Sequence, residues 1–137
     1  MSHITTINVK VKDLNILEQA ANKLGLELVR GQKTFKYYNG RTGSCEHVLR
    51  VKNNRNAYEI GLVKDKDGVS YNFDTDFFSG GYGLVDVVGQ NCEKIINGYA
   101  VGVAKKSANE IAATWGATVI EEYNEQTGET QITLRRY

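Results

Sequence analysis

Residues 99–137 read YAVGVAKKSANEIAATWGATVIEEYNEQTGETQITLRRY, and two hydrophobic periods inside this stretch decide the fold class. From Val103 to Trp115, the side chains of Ala104, Ala108, Ile111 and Trp115 recur at helical spacing and form one apolar stripe. Gly116 stops that helix. Residues 118–123 and 130–137 then alternate apolar and polar, a period of two that belongs to strands. Between them Asn124-Glu125-Gln126-Thr127-Gly128 is a turn long enough to need its glycine. The stretch therefore predicts a helix followed by a β-hairpin.

Working back, Leu84, Val87, Val88, Cys92, Ile95 and Ile96 predict a second helix over 84–97, and Gly98 breaks or bends the path after it. Phe77-Phe78-Ser79-Gly80-Gly81-Tyr82-Gly83 is the loop before it. Asp67-Gly68 is a two-residue hairpin signal joining strands over 57–64 and 69–74, with Val69, Tyr71 and Phe73 on one face. A strand over 46–52 precedes the polar corner Asn53-Asn54-Arg55-Asn56. The segment from Leu26 is irregular, with a strand over 34–38 and a turn at Asn39-Gly40 and Gly43. At the start, Ile7, Val9 and Val11 alternate as a half-buried strand. Asp13 caps a helix whose stripe is Leu14, Leu17, Ala21 and Leu24, and Gly25 ends it. The order β-α-β-β-β-β-α-α-β-β predicts an α+β fold: one mainly antiparallel sheet with helices packed on one face, in a single domain over 1–137.

A chain of 137 residues buries about two-thirds of its surface on folding, enough for a core without metal or disulfides. The net charge of +1 gives no global attraction to nucleic acid or anionic lipid. Residues 1–55 nevertheless carry 10 Lys/Arg against 4 Asp/Glu, and residues 56–137 carry 7 against 12, a split that suits a basic surface or self-complementary association. No apolar run approaches the roughly 20 residues that span a bilayer, and Met-Ser-His-Ile-Thr-Thr lacks a secretion signal. Two cysteines, Cys45 and Cys92, make no secreted-type framework, so a reduced, cytoplasmic protein is the expectation.

Two blocks resemble a known family. The opening Met1-Ser2-His3-Ile4-Thr5-Thr6-Ile7, then Lys12-Asp13-Leu14 and the helix ending Leu24-Gly25, form the first. Tyr99-Ala100, the helix to Gly116, Thr118-Val119-Ile120-Glu121-Glu122 and the closing Leu134-Arg135-Arg136-Tyr137 form the second. In order and spacing they resemble the hypothetical chloroplast reading frame thirty-five family. That is a domain of unknown function from cyanobacteria, plastid genomes and other bacteria, with relatives in phages. The resemblance implies no activity, catalytic residue or cofactor; it implies an assembly or chaperone partner of the AAA-type ATPase class, whose genes sit beside some relatives. The middle departs from the family, which tends to have tryptophans where this chain has Asp74-Thr75-Asp76-Phe77-Phe78 and Gly80-Gly81-Tyr82-Gly83.

Several constellations carry chemistry. Cys45 and His47 share a strand face, and with Cys92 and His3 would supply zinc ligands, but the spacing is unlike a finger or ribbon. Cys45 as a nucleophile has His47 near it but no orienting acid. Asp74 and Asp76 could hold Mg²⁺ through oxygens, although Asp at a strand end also favours turns. Gly80, Gly81, Tyr82 and Gly83 before a helix start suit a phosphate, without P-loop lysine or dinucleotide spacing. Lys33, Lys36, Tyr38 and Arg41 interleave bases with aromatics, as single-strand binders do. Arg135, Arg136 and Tyr137 close the last strand, where arginines protect an edge or meet a subunit.

No nucleophile–base–acid set and no cofactor emerges. The expectation is a non-catalytic binding or assembly module that presents a sheet face or edge to a protein partner or to itself, with eight tyrosines suited to interfaces. The alternative is a phosphate, nucleotide or nucleic-acid binder using Gly80–Gly83 and the basic 30–55 segment. An Asp74/Asp76 metal enzyme ranks third.

Overall fold

The structure, a computed structural model, describes residues 4–124 and 126–136, without the side chains of Ala117 and Arg136. The chain gathers into two compact units, Met1–Gly98 and Tyr99–Tyr137. The fold is α+β with a mainly antiparallel sheet, as the periodicities predict.

In the first unit a five-stranded antiparallel sheet has the order β1 (Thr5–Val11), β7 (Tyr71–Thr75), β6 (Ile60–Lys64), β5 (His47–Val51), β2 (Leu26–Arg30). Cross-strand pairing puts Leu28, Leu49 and Ile60 on one face, and Leu62 and Phe73 continue it. All five are buried, four of them at 0% exposure, and each contributes about 1.5–3 kcal/mol. The opposite face carries Val48 and Gly61, which pair directly. There the ribbon of β3 (Thr34–Lys36) and β4 (Thr42–Ser44) seats Phe35 against Val48 and Cys45. A side chain cannot be added beneath that ring: a Cβ on Gly61 would overlap Phe35 Cδ1, and one on Gly43 would come within 2.5 Å of its Cε1.

Helix α1 (Leu14–Leu24) starts and stops where the sequence says. Asp13 Oδ1 accepts from the Asn15 and Ile16 amides at 3.0 and 3.1 Å, and Gly25 closes it at φ 84°. Its buried side is Ile16, Leu17, Ala20 and Ala21; Leu14 and Leu24 are only half-buried, so the stripe is turned from the expected one.

Other boundaries differ for physical reasons. Residues 26–30 are a full edge strand, because their N–H and C=O groups pair with β5 along its whole length. Thr42–Ser44, expected as part of a turn, pairs with β3. The strand expected from Ala57 begins at Ile60, since the Tyr58 and Glu59 amides donate instead to the Gly81 and Lys36 carbonyls. Asp67-Gly68 does join β6 to β7, through a turn that begins at Asp65 rather than a two-residue loop, and Val69 is left 64% exposed. The helix expected over 84–97 is broken: α2 (Leu84–Val88) ends at Gly89, and α3 (Glu93–Trp115) follows a 3-10 turn. Gly98 does not break α3. It lies within 3.3 Å of the Ala20 side chain for any added Cβ, so its missing side chain admits α1.

The second unit holds the later turns of α3 and the hairpin of β8 (Ala117–Asn124) and β9 (Glu129–Arg136). Lys105 bridges to Glu121 at 2.7 Å, tying helix to strand. Within the helix Ala108 and Ala112 are buried, whereas Ala104, Ile111 and Trp115 of the expected stripe are exposed. Among the described residues no helix is long and apolar enough to cross a membrane.

Candidate functional site

β7 ends at Thr75, whose hydroxyl donates to the Glu59 carbonyl at 3.0 Å. The next residue, Asp76, turns its carboxylate inward and accepts the Phe78 amide on Oδ1 at 2.9 Å. The chain then winds the wrong way. Ser79, Gly80, Gly81 and Tyr82 all lie near φ 50–65° and ψ 20–46°, and Gly83 sits at φ 108°. L-residues visit this region singly, at about 1–2 kcal/mol each for those with a Cβ, so a left-handed turn containing Ser79 and Tyr82 is an outlier of the kind that collects at functional sites. Neighbours lock it. The Gly81 carbonyl accepts from the Tyr58 amide at 2.8 Å, and the Tyr82 carbonyl from Asn54 Nδ2 at 3.1 Å. A Cβ on Gly83 would come within 2.6 Å of that amide nitrogen.

The turn assembles four rings. Phe78 meets Tyr38 edge-on with centroids 5.0 Å apart, and Tyr82 lies tilted against Tyr58 at 5.3 Å. Burial pushes the pKa of the Tyr58 hydroxyl above its ordinary value, and Tyr82, Asp76 and Tyr38 add to the shift, which places all of these groups in one neighbourhood. Tyr82 and Phe78 are 51% and 37% exposed. Of the sequence candidates, Gly80, Gly81, Tyr82, Gly83, Tyr38 and Asp76 thus belong together. Tyr58 and Phe78 carry no motif in the sequence; Tyr58 sits in what reads as a plain strand, and only the fold carries it to Gly81.

The basic candidates disperse. Lys33 pairs with Glu46 at 3.0 Å, Arg30 with Glu18 at 3.7 Å and Arg50 with Glu27 at 2.9 Å. Lys36 Nζ donates to the Arg55 carbonyl, and Arg41 is exposed after the turn between β3 and β4. Between these bases Phe35 packs inward at 1% exposure with Tyr37 against the same core, whereas Tyr38 turns to Phe78.

Cys45 is buried, its Sγ 3.4 Å from the Gln32 carbonyl, and burial pushes the thiol up to about 11. His47 Nδ1 accepts the Gly31 amide at 2.9 Å and so is occupied. Cys92 lies buried in the break before α3 and is pushed up to about 12. Asp74 accepts the Thr6 hydroxyl at 2.7 Å, while Asp76 serves the loop. Among the described residues no three His, Cys, Asp or Glu side chains gather as metal ligands; His3 lies outside them. Arg135 is exposed on β9; the Arg136 side chain and Tyr137 lie outside the described residues. A hollow of about 860 Å³ at the hairpin tip is lined by Glu122, Tyr123, Gln126 and Glu129.

No protein-family model, no curated protein and no solved structure matches the chain.

Proposed function

We propose that the protein is a non-catalytic binding module of the cytoplasm whose recognition face is the aromatic cluster on the left-handed glycine turn. The observation that carries this reading is the strain itself: Ser79 and Tyr82 are held at positive φ, and the product is two exposed rings backed by two more. Aromatic side chains give large contact area for little lost rotamer freedom, which suits recognition. A thermal-shift screen of nucleotides, oligonucleotides and charged peptides tests it, because a ligand that binds only the folded state raises the melting temperature. The shift is expected to vanish in Phe78→Ala and Tyr82→Ala, whose own melting temperatures stay near that of the parent. Ligand shifts unchanged in both variants would move the face elsewhere.

A second reading is assembly through the second unit. Val103, Ile111, Trp115 and Tyr123 are 38–64% exposed there, and a two-stranded hairpin with little core is marginal alone. The resemblance of the closing block to the reading frame thirty-five family, with its AAA-type ATPase neighbours, supports an assembly role, with Arg135, Arg136 and Tyr137 at the contact. Light scattering on a size-exclusion column decides: a mass of one chain at high concentration, with no partner retained on a pull-down, ends it.

A further inference from the structure

Two polar atoms at the turn find no hydrogen-bond partner among the described residues: Asp76 Oδ2 and the Tyr58 hydroxyl. Asp76 is 2% exposed and Tyr58 5%. An unpaired buried polar group costs about 1–3 kcal/mol, and a charged one more, so native structures rarely keep two in one place. No ion pair reaches Asp76 among the described residues; the Lys36 ammonium donates to the Arg55 carbonyl and the Asn54 amide to the Tyr82 carbonyl. The unpartnered atoms are thus a carboxylate oxygen, which only accepts, and a hydroxyl, which can accept or donate.

We propose that this cluster binds an organic cation: an alkylammonium group seated against the rings of Tyr82 and Phe78, with Asp76 as its counter-ion and the Tyr58 hydroxyl as a second acceptor. The proposal rests on the aromatic recognition face and names its ligand class. Ring faces attract a cation by about 0.5–2 kcal/mol, the larger value when it is desolvated. The Asp76 carboxylate supplies the N–H acceptor that a purely aromatic site lacks. The same carboxylate opposes a phosphate, even though glycine loops suit anions in general. Because Asp76 Oδ2 is closed to solvent, contact with it requires the turn to open locally.

The test uses the full chain and three probes at matched ionic strength: n-butylammonium chloride, 1-pentanol as its uncharged counterpart, and sodium phosphate. Calorimetric titration and amide NMR read the response. Butylammonium is expected to bind and to move the Gly81 and Tyr82 amides, and Nα-acetyl-lysine amide to do the same if a peptide lysine fits. Phe78→Leu and Tyr82→Leu should each weaken binding about three- to tenfold, and Asp76→Asn should abolish it. Since Asp76 also caps the Phe78 amide, Tyr58→Phe, which removes one acceptor and leaves the ring, is the second variant and should weaken binding of butylammonium alone. Equal binding of pentanol, or binding of phosphate in place of butylammonium, overturns the cation and leaves the recognition face standing. No response to any probe also overturns the cation, while retained or lost ligand shifts in Phe78→Ala and Tyr82→Ala decide the face separately.

Discussion

Phe35 shows how much a single residue organises. Its ring fills the space left by two glycines, Gly61 on β6 and Gly43 on β4. Gly61→Ala forces a fully buried ring to move and is expected to cost about 1–3 kcal/mol, read as a lower urea midpoint. In the Gly61→Ala background, Phe35→Leu should cost less than in the parent, a coupling that a double-mutant cycle measures. His47 sets a pH dependence. Burial, then Lys33, holds its imidazole below the ordinary value near 6.5, against the opposing pull of Glu46. The unfolded chain therefore takes up a proton at higher pH than the folded one. Stability is full above about pH 6.5 and declines as the pH falls towards the folded value. Denaturation at about pH 8 and pH 5.5 should show this drop, and His47→Gln should shrink it. The two thiols, pushed up to about 11 and about 12, should resist a thiol reagent in the folded protein and react fully in denaturant.

At the scale of elements, local chemistry decides ends more firmly than interiors. Asp13 and Gly25 bracket α1 as their side chain and dihedral demand. The β6–β7 turn is held by Asp67, which accepts the Val69 and Ser70 amides at 2.9 Å and the Ser70 hydroxyl at 2.6 Å. Those bonds, the Ser70 hydroxyl foremost, hold its carboxyl down at about 2. A depressed carboxyl stabilises the fold above its unfolded value and loses that contribution as the pH falls towards 2. Asp67→Asn should lower the melting temperature at neutral pH and flatten the loss below about pH 4, checked by a melting series from neutral to acid. Gly89, at φ 79° and ψ 175°, leaves the helical path and cuts the apolar face from Leu84 to Ile96 in two. The hydrophobic spacing continues through the break, so periodicity alone cannot see it.

Across the whole molecule burial is uneven. The strands β5, β6 and β7 carry Leu49, Ile60, Leu62 and Phe73 at 0% exposure, whereas no described residue of β8 or β9 is buried. Amide exchange should follow: slowest in the three central strands of the first unit and fast in the hairpin, since opening free energy tracks buried apolar contact. The sequence by itself determined the α+β class, the caps of α1, the β6–β7 and β8–β9 hairpins, and the loop before α2. Those depend on periodicity, Asp and Gly chemistry within a few residues. It could not show that β2 is a strand, that Gly98 is a helix contact, or that Tyr58 lies beside Tyr82. Only the tertiary structure decided these, because each depends on a partner far along the chain: β5 for Leu26–Arg30, Ala20 for Gly98, and Gly81 for the Tyr58 amide. The candidate site follows the same division. Its glycines stand out in the sequence, but the rings and the half-satisfied Asp76 carboxylate come together only through the left-handed turn.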